Sequence, residues 1–497
     1  MKNITIEHSK YMPLKTGLKI SGLALVLFLA GCASQLRQLP KEANIVVPET
    51  WQIQAVHEDD ADAKLVEVIN VENGWLKAFD DEDLNKYVNV ALNANPDLLA
   101  SAAQLKSAIE QVTINGSSLW PNISANASKN NTDDEVAGVT TEIRTVSASL
   151  DVSWEADIWG KLTQRRKSAA YSAKAQAELF KAAELSLVAN VSRSWYNLVT
   201  NKLQLELAQL RLESFERTAG LIDENYKRGL RSALDVYLSR TDVQVQISSK
   251  ADAQFNYDQS LRTFKTLLGE YPDTDLSFDT GLPTMTGLVP SGLPAELLTR
   301  RPDVKASQLQ YKSQIANAKA AHRDRFPSIS FRGSIGDTRD EFEQLFDNDN
   351  VVMTLISSIA QPIFLAGALK SREQQAVYQA EASYASLVKT TLSAFQEVED
   401  SLDRETTLRK QHIAIEKAVK FAQGGYDLAL DRYQSGIENY TTVLESQRRL
   451  FNSKRDEINF RNALVQNRIG IHLALGGDFT SLPDRKPTKN LPSITKN

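Results

Sequence analysis

The sequence is poor in cysteine, proline and long apolar runs, and each shortage excludes a class of structure. Its single cysteine, Cys32, rules out an intrachain disulfide framework. No proline interrupts the chain between Pro362 and Pro483, a gap that is typical of long helices. Beyond residue 32 no segment stays apolar for about 18 residues, which excludes a bundle of membrane-spanning helices. A net charge of −5 gives no indication of a nucleic-acid partner.

Sequence patterns of enzymes and metal sites are missing as well. The five histidines are scattered, and neither an HExxH, a GxSxG nor a P-loop pattern occurs. Glu397, Glu399 and Asp400 lie close together, but in a polar helical stretch such carboxylates usually form a solvated face. We therefore predict that the chain is not an enzyme, with no catalytic residues, no metal site and no cofactor.

The first 32 residues have the organisation of an export signal. Lysines precede an apolar run over Ile20–Ala30, which has the length of the hydrophobic region of a signal peptide. Leu29-Ala30-Gly31-Cys32 resembles a bacterial lipobox, in which the cysteine becomes the lipidated first residue of the mature chain. We predict a signal peptide over residues 1–31 and a covalent lipid on Cys32; an ordinary signal with an incidental cysteine is the alternative. Ala33 favours delivery to the outer membrane, and residues 32–70 are predicted to form an extended tether.

The rest of the chain is predicted to be a tandem duplication. Asn95-Pro96-Asp97 aligns with Arg301-Pro302-Asp303, and Tyr226-x-x-Gly229 aligns with Tyr433-x-x-Gly436. Three further pairs keep the same order and nearly the same spacing: Trp120-Pro121 with Phe326-Pro327, Gly160 with Gly367, and Leu268-Gly269 with Leu475-Gly476. We place repeat 1 at residues 71–282, repeat 2 at 283–478 and a C-terminal tail at 479–497. Units of this length exclude a solenoid.

Both repeats are predicted to contain the same series of elements. A helix opens after the Pro-Asp pair, because proline suits a first helical turn and aspartate a helix N-terminus. A β-hairpin follows at about 122–154 in repeat 1 and 328–361 in repeat 2, with polar loops over 129–138 and 336–350 between its strands. A helix of some 60 residues, a tight turn at Gly229 or Gly436 and a shorter returning helix complete the repeat.

Two hairpins supply four strands, which is too few to close a membrane β-barrel. Open sheet edges are not tolerated in lipid, since each unpaired backbone group costs several kcal/mol. Three chains would pool twelve strands, an even number within the range of known barrels. Because helices of this length must pack side by side, the same assembly would arrange them as a cylinder. A barrel that continues into a helical tube is a conduit.

Several short motifs carry a family resemblance that covers nearly all of the mature chain. The motifs are Gly74-Trp75-Leu76-Lys77-Ala78-Phe79, Ala91-Leu92-Asn93-Ala94-Asn95-Pro96-Asp97-Leu98, Ser153-Trp154-Glu155-Ala156-Asp157-Ile158-Trp159-Gly160, Leu297-Leu298-Thr299-Arg300-Arg301-Pro302-Asp303-Val304, Gln361-Pro362-Ile363-Phe364 and Leu473-Ala474-Leu475-Gly476-Gly477. In this order they resemble the motifs of the TolC-like outer-membrane efflux channels, specifically the lipoprotein branch that serves tripartite resistance–nodulation–division pumps.

The resemblance implies an α+β membrane protein of the bacterial outer membrane. It would be a lipid-anchored homotrimer with a twelve-stranded barrel and a periplasmic α-helical coiled-coil tunnel. Residues 270–300 and the tail after Asp478 would form an equatorial layer around the tunnel. A periplasmic adaptor protein would connect the tunnel to an inner-membrane pump, which supplies the energy for the export of drugs or other toxic small molecules through a passive duct.

The resemblance also implies a gate at the tip of the second helical hairpin. The matching gate positions are Arg432, Tyr433, Thr441, Glu445 and Arg448. Three Glu445 side chains around a threefold axis would form an acidic ring that favours cations, and pairs with Arg432 or Arg448 in a neighbouring chain could hold it shut. Glu445 stands where the family commonly has aspartate, and Thr441 stands where leucine is frequent. The adaptor-contact tips would be Tyr226, Gly229, Tyr433 and Gly436.

Three other functions remain open at this point. A periplasmic coiled-coil lipoprotein, such as an adaptor, would explain the helices and Cys32 but not the two strand hairpins. A type I secretion duct shares the fold, and a duct for metal-ion efflux differs only in its substrate. The exported substrate lies largely outside the sequence, because the pump selects it.

Overall fold

The computed structural model describes Trp51 and residues 75–136, 139–285, 299–345 and 351–477. The predicted signal peptide, Cys32 and the C-terminal tail lie outside the described residues. So do residues 286–298 of the predicted equatorial segment and all of the tether except Trp51.

The element order repeats once along the chain, which confirms the predicted duplication. After a 3₁₀ helix at Trp75–Phe79 come α1 (Glu82–Ala94), α2 (Pro96–Ser117), β1 (Asn122–Val136), β2 (Val139–Ala156), α3 (Lys161–Lys227) and α4 (Ala233–Leu267). The second pass consists of α5 (Pro302–Arg323), β3 (Ser328–Arg339), a short 3₁₀ helix at Phe342–Gln344, β4 (Val352–Ala360), α6 (Ala368–Gln434) and α7 (Tyr440–Ala474). Helices α3 and α6 have 67 residues each, and α4 and α7 have 35 each.

The long helices follow from what the sequence contains and omits. At 1.5 Å per residue, the 67 residues of α3 or α6 rise about 100 Å. The predicted turns end them: Gly229 and Gly436 have φ values of 72° and 76°, which glycine adopts without a steric penalty. None of the helices in the described ranges is both long and apolar enough to cross a membrane.

The chain divides into two compact units, and the first contains Gln111–Tyr171 and Tyr311–Tyr384. Its four strands form one antiparallel sheet in the order β1-β2-β3-β4. Strand alternation gives the sheet two different faces. One face presents exposed apolar residues in neighbouring rows: Ile123, Val152 and Leu355, then Leu150, Ile335 and Met353. The row between these two has its side chains on the opposite face and is polar: Ser124, Asp151, Ser334 and Thr354.

The predicted loop of the first hairpin is wrong. Residues 129–136 continue β1, and Asn131 and Asp133 pair with Arg144 and Glu142 of β2. The ladder of an antiparallel pair consists of backbone groups, so polar side chains at exposed positions extend the strands beyond the apolar segment. In the second hairpin β3 likewise runs to Arg339, well into the predicted loop over 336–350.

Of the described residues, the second unit contains Trp51 and residues 75–110, 172–285, 299–310 and 385–477, and an aromatic cluster lies in its core. Trp195 of α3 is fully buried against Tyr87, Phe264 and Phe278, with ring centroids 4.8–5.4 Å apart. Its indole Nε1 donates to Asp81 Oδ2 at 2.8 Å, and the other oxygen of Asp81 caps α1. One carboxylate therefore fixes both the start of α1 and the orientation of the central tryptophan.

A fully buried histidine makes this second unit sensitive to acid. The ring of His472 stacks on Trp75 at 5.4 Å, and among the described residues neither ring nitrogen has a hydrogen-bond partner. Burial, aided by the nearby charge of Arg468, lowers the pKa of His472 to about 3. The unfolded chain therefore binds the imidazole proton more tightly than the folded chain does. Stability is lost as the pH falls below about 6.5 and continues to fall until about pH 3.

We expect the free energy of unfolding at pH 5 to be lower by about 2 kcal/mol than at pH 7 because of this group alone. The His472→Phe variant keeps an aromatic ring against Trp75 and should lose that part of the acid sensitivity. Urea unfolding at both pH values checks the difference. Equal pH dependence in the two proteins would show that His472 is protonated in the folded state.

Candidate gate and docking tips

Each helical hairpin ends in the same turn, which the glycine makes possible. In the first hairpin the Gly229 amide donates to the Tyr226 carbonyl at 2.8 Å, and the Leu230 amide donates to Asn225 at 2.9 Å. In the second, the Gly436 amide donates to Tyr433 at 3.0 Å, and the Ile437 amide donates to Arg432 at 2.9 Å. This Schellman pattern satisfies the last carbonyls of α3 and α6 and reverses the chain.

The two matching tyrosines have different environments. Tyr226 is 45% exposed, whereas Tyr433 is 1% exposed and packs among Val236, Tyr440 and Val443. Arg231 of the first hairpin holds this part of the second hairpin. Its Nη2 donates to the Tyr433 carbonyl at 2.7 Å, and its guanidinium lies 4.1 Å from the centre of the Tyr433 ring. Of these two tyrosine rings, only that of Tyr226 is exposed and available for contact with another protein.

Three of the predicted gate residues are exposed near the start of the returning helix or the turn before it. Arg432 precedes the turn, and Thr441 lies in the first turn of α7. Glu445 lies one turn further along, with its side chain 63% exposed and 3.7 Å from Arg448 Nη1. Such an exposed pair contributes little to stability, so Glu445 is available for other partners.

Arg448 has a stronger partner that the sequence analysis missed. Its Nη2 donates to Asp242 Oδ1 of α4 at 2.7 Å, and the Tyr440 hydroxyl donates to Asp242 Oδ2 at 3.2 Å. Asp242 is buried, and residues of the second hairpin donate hydrogen bonds to both of its carboxylate oxygens. We call these three residues, Asp242, Tyr440 and Arg448, the latch, because they join the two hairpins close to their tips.

Within the latch, the Tyr440 hydroxyl is a neutral hydrogen-bond donor. Burial and the adjacent Asp242 carboxylate raise the pKa of the Tyr440 hydroxyl above its usual value. Its proton therefore stays in place at physiological pH. Asp242 then accepts one neutral and one charge-assisted hydrogen bond, and the latter is the stronger type.

The sequence around Asp242 contains a pattern that indicates a buried polar contact. Ser239, Asp242 and Gln246 are all buried and recur at spacings of three and four residues along α4. Buried positions of a helix are usually apolar, so three polar residues on one buried stripe indicate a hydrogen-bonding partner on another element. The sequence does not name that partner, because Arg448 lies 206 residues away.

Large apolar side chains surround the first hairpin tip and have no cover within the described part of the chain. Tyr237 is 72% exposed, and Leu230 and Leu234 are similarly open. Ile437 occupies a comparable position beyond the second turn. Clusters of exposed apolar residues are typical of sites that bind another protein.

Comparison with known proteins places this architecture in a family. The sequence matches the family described as outer membrane efflux protein twice, over residues 87–270 and 293–477. The antibiotic efflux pump outer membrane protein ArpC of Pseudomonas putida is 30% identical over 422 residues, which cover 83% of this chain and 87% of ArpC. The pyoverdine export outer membrane protein OpmQ of Pseudomonas aeruginosa is 28% identical over 475 residues, covering 93% of this chain and 97% of OpmQ.

The fold agrees with solved channels. The crystal structure of the Campylobacter jejuni outer membrane channel CmeC superposes with a TM-score of 0.80 at 22% identity, over 89% of this chain and 94% of CmeC. The family consists of transport proteins, in agreement with the prediction that the chain is not an enzyme. With two matched segments and four strands plus long helices in the same order, the chain is a TolC-like channel that belongs to the outer membrane efflux protein family.

Proposed function

We propose that this protein is the passive outer-membrane duct of a tripartite efflux system that exports small toxic molecules. The observation that carries the proposal is the pairing of an exposed apolar sheet face with hairpin tips that carry uncovered apolar residues. The sheet face suits a lipid environment, and the tips suit a periplasmic adaptor linked to an inner-membrane resistance–nodulation–division pump. Tyr226, Gly229 and Gly436 are the proposed adaptor-contact positions, and Cys32 is the proposed lipidation site. The side chain of Tyr433, the fourth position that the family resemblance implied, is only 1% exposed, so it would support the second turn from within.

The names of the relatives support small organic molecules as the substrate class. ArpC is named for antibiotics and OpmQ for pyoverdine, so relatives at similar identity are named for chemically different cargo. We infer that the duct itself discriminates weakly and that the pump selects the substrate. Repeat 1 at 71–282 and repeat 2 at 283–478 would each supply one strand hairpin and one helical hairpin.

The sheet edges support a homotrimer. In the order β1-β2-β3-β4 the outer edges of β1 and β4 have no strand partner within the sheet. In lipid each unpaired backbone group costs several kcal/mol, so the edges require neighbouring chains. We expect the protein to be a trimer of twelve pooled strands in mild detergent, as measured by native mass spectrometry. A stable monomer with its strands intact would contradict the pooling of strands.

Lipidation at Cys32 is tested separately from assembly. Mass spectrometry of the protein purified from outer membranes should find a diacylglyceryl and acyl modification on Cys32 as the first residue. The Cys32→Ser variant should lack the modification but still form trimers, since the sheet itself would anchor the protein. An unmodified Cys32 in the wild type contradicts the proposed lipid anchor.

The gate is proposed at the second hairpin, with Arg432, Tyr433, Thr441, Glu445 and Arg448 as its residues. Electrical recording of the purified protein in a planar bilayer tests the duct directly. A low and rare conductance in the wild type is expected of a duct that is closed at rest. No current from protein shown to be inserted would contradict the proposed channel, and a large steady current would place the gate elsewhere.

A further inference from the structure

A cleft on the helical part of the second unit contains polar groups that its own residues leave unsatisfied. It lies between α3, α4 and α7 and has a volume of about 410 Å³. Its walls combine apolar surface from Leu207 and Phe451 with charged and amide groups from Arg211, Arg455 and Gln246. A cavity of this volume, with mixed walls and a few converging polar groups, is typical of a small-molecule site.

Arg211 is the main unsatisfied cation of the cleft. Its guanidinium lies against Phe215 and Phe451, 5.8 and 6.0 Å from the ring centres. Its Nε is buried and makes no hydrogen bond within the described part of the chain. Burial, followed by the nearby charges of Arg455 and Arg448, lowers the pKa of Arg211. Arg211 as a whole is half-buried, and a partly desolvated guanidinium beside two other cations favours an anion.

Asp242, the buried carboxylate near Arg211, is already engaged. Asp242 accepts hydrogen bonds from Arg448 and Tyr440 in the latch. Arg455 pairs with Asp456, the next residue along its own helix, at 2.8 Å. Asp252 also lines the cleft but is exposed. The cleft therefore has more positive than negative charge close to Arg211.

Gln246 supplies a second unsatisfied group of the opposite kind. The residue is 3% exposed, and its Nε2 donates to the Asp242 carbonyl at 3.3 Å. Its Oε1 is buried and has no hydrogen-bond partner within the described residues. A buried acceptor without a partner is unfavourable, so a ligand that donates an O–H or N–H there would gain affinity.

We propose that this cleft binds a small aromatic carboxylate that also carries a hydroxyl or amino group. The carboxylate would accept from Arg211, the ring would lie against Phe451 and Leu207, and the hydroxyl or amino group would donate to Gln246 Oε1. The three groups of the ligand match the cation, the apolar wall and the acceptor. The site is separate from the predicted gate residues Thr441 and Glu445, and it does not depend on the proposed efflux function.

Calorimetric titration of the detergent-solubilised full-length protein with 4-hydroxybenzoate tests the proposal. We expect one saturable site per chain in the wild type. The Arg211→Met variant keeps apolar contact with the aromatic rings but removes the charge, and its affinity should be at least ~10-fold lower. Arg217→Met removes an exposed arginine from the same helix and should bind like the wild type.

Two comparisons keep the test independent of the folding of Arg211→Met. Benzoate, which lacks the hydroxyl, should bind about 5- to 10-fold more weakly than 4-hydroxybenzoate to the wild type. Gln246→Glu replaces a neutral lining group of the cleft with a carboxylate, which would repel the carboxylate of the ligand, so this variant should lose binding; circular dichroism checks that it is folded. Absence of saturable binding to the wild type, or equal binding by Arg211→Met, overturns the proposal. Lower trimer stability in Arg211→Met without any binding by the wild type would instead identify a carboxylate of a second copy as the partner of Arg211.

Discussion

Replacing Asp242 with asparagine is expected to raise the open probability of the reconstituted channel by about fivefold for each latch that is broken. The substitution preserves the shape of the side chain but removes the charge that Arg448 and Tyr440 share. A hydrogen bond to a charged group contributes about 1.5–3 kcal/mol, and we reduce this to about 1 kcal/mol because Arg448 is half exposed. If the three latches of the proposed trimer open together, the combined effect is on the order of a hundredfold.

Single-channel recording of matched variants measures this effect. Glu445→Gln removes the exposed carboxylate that lies 3.7 Å from the same arginine, and it should change the open probability much less than Asp242→Asn. Tyr440→Phe removes only the neutral hydrogen bond and should give an intermediate result. If Asp242→Asn behaves like the wild type while Glu445→Gln opens the channel, the acidic ring and not the latch holds the duct closed.

Replacing Glu405 with leucine is expected to lower the free energy of unfolding by about 3–5 kcal/mol. Glu405 of α6 accepts from Arg468 Nη2 at 2.7 Å and from Asn467 Nδ2 at 3.0 Å, both on α7. Arg468 is 1% exposed, and burial lowers its pKa. Without the carboxylate, the guanidinium of Arg468 would remain buried without the counterion that it has in this structure, which is the main cost.

A double variant separates the cost of a lone charge from the contribution of the pair. Glu405→Leu combined with Arg468→Met replaces both ions with apolar groups, and we expect most of the lost stability to return. Glu416→Leu, on an exposed part of the same helix, should change stability by less than about 0.5 kcal/mol. Urea unfolding at one fixed protein concentration compares the four proteins. A double variant as unstable as Glu405→Leu would mean that the ion pair itself stabilises the fold.

The sequence predicted the regular elements well where a spacing rule applied. The Pro-Asp pairs marked the starts of α2 and α5, and the glycines at 229 and 436 marked the turns after α3 and α6. It placed the hairpins correctly but shortened the strands, because apolar alternation ends before the backbone ladder does. For the gate it gave residues by resemblance and overlooked Asp242, whose pairing with Arg448 joins the two repeats.

The sequence by itself therefore determined the duplication, the order of the elements and the family, since these depend on residue types at fixed spacings along one chain. Only the tertiary structure decided that Tyr433 is buried while Tyr226 is exposed, and that Arg448 pairs with Asp242. The physical reason is that both outcomes depend on how α3, α4, α6 and α7 pack side by side. Packing brings together residues 200 positions or so apart, and a local periodicity contains no information about which of them meet.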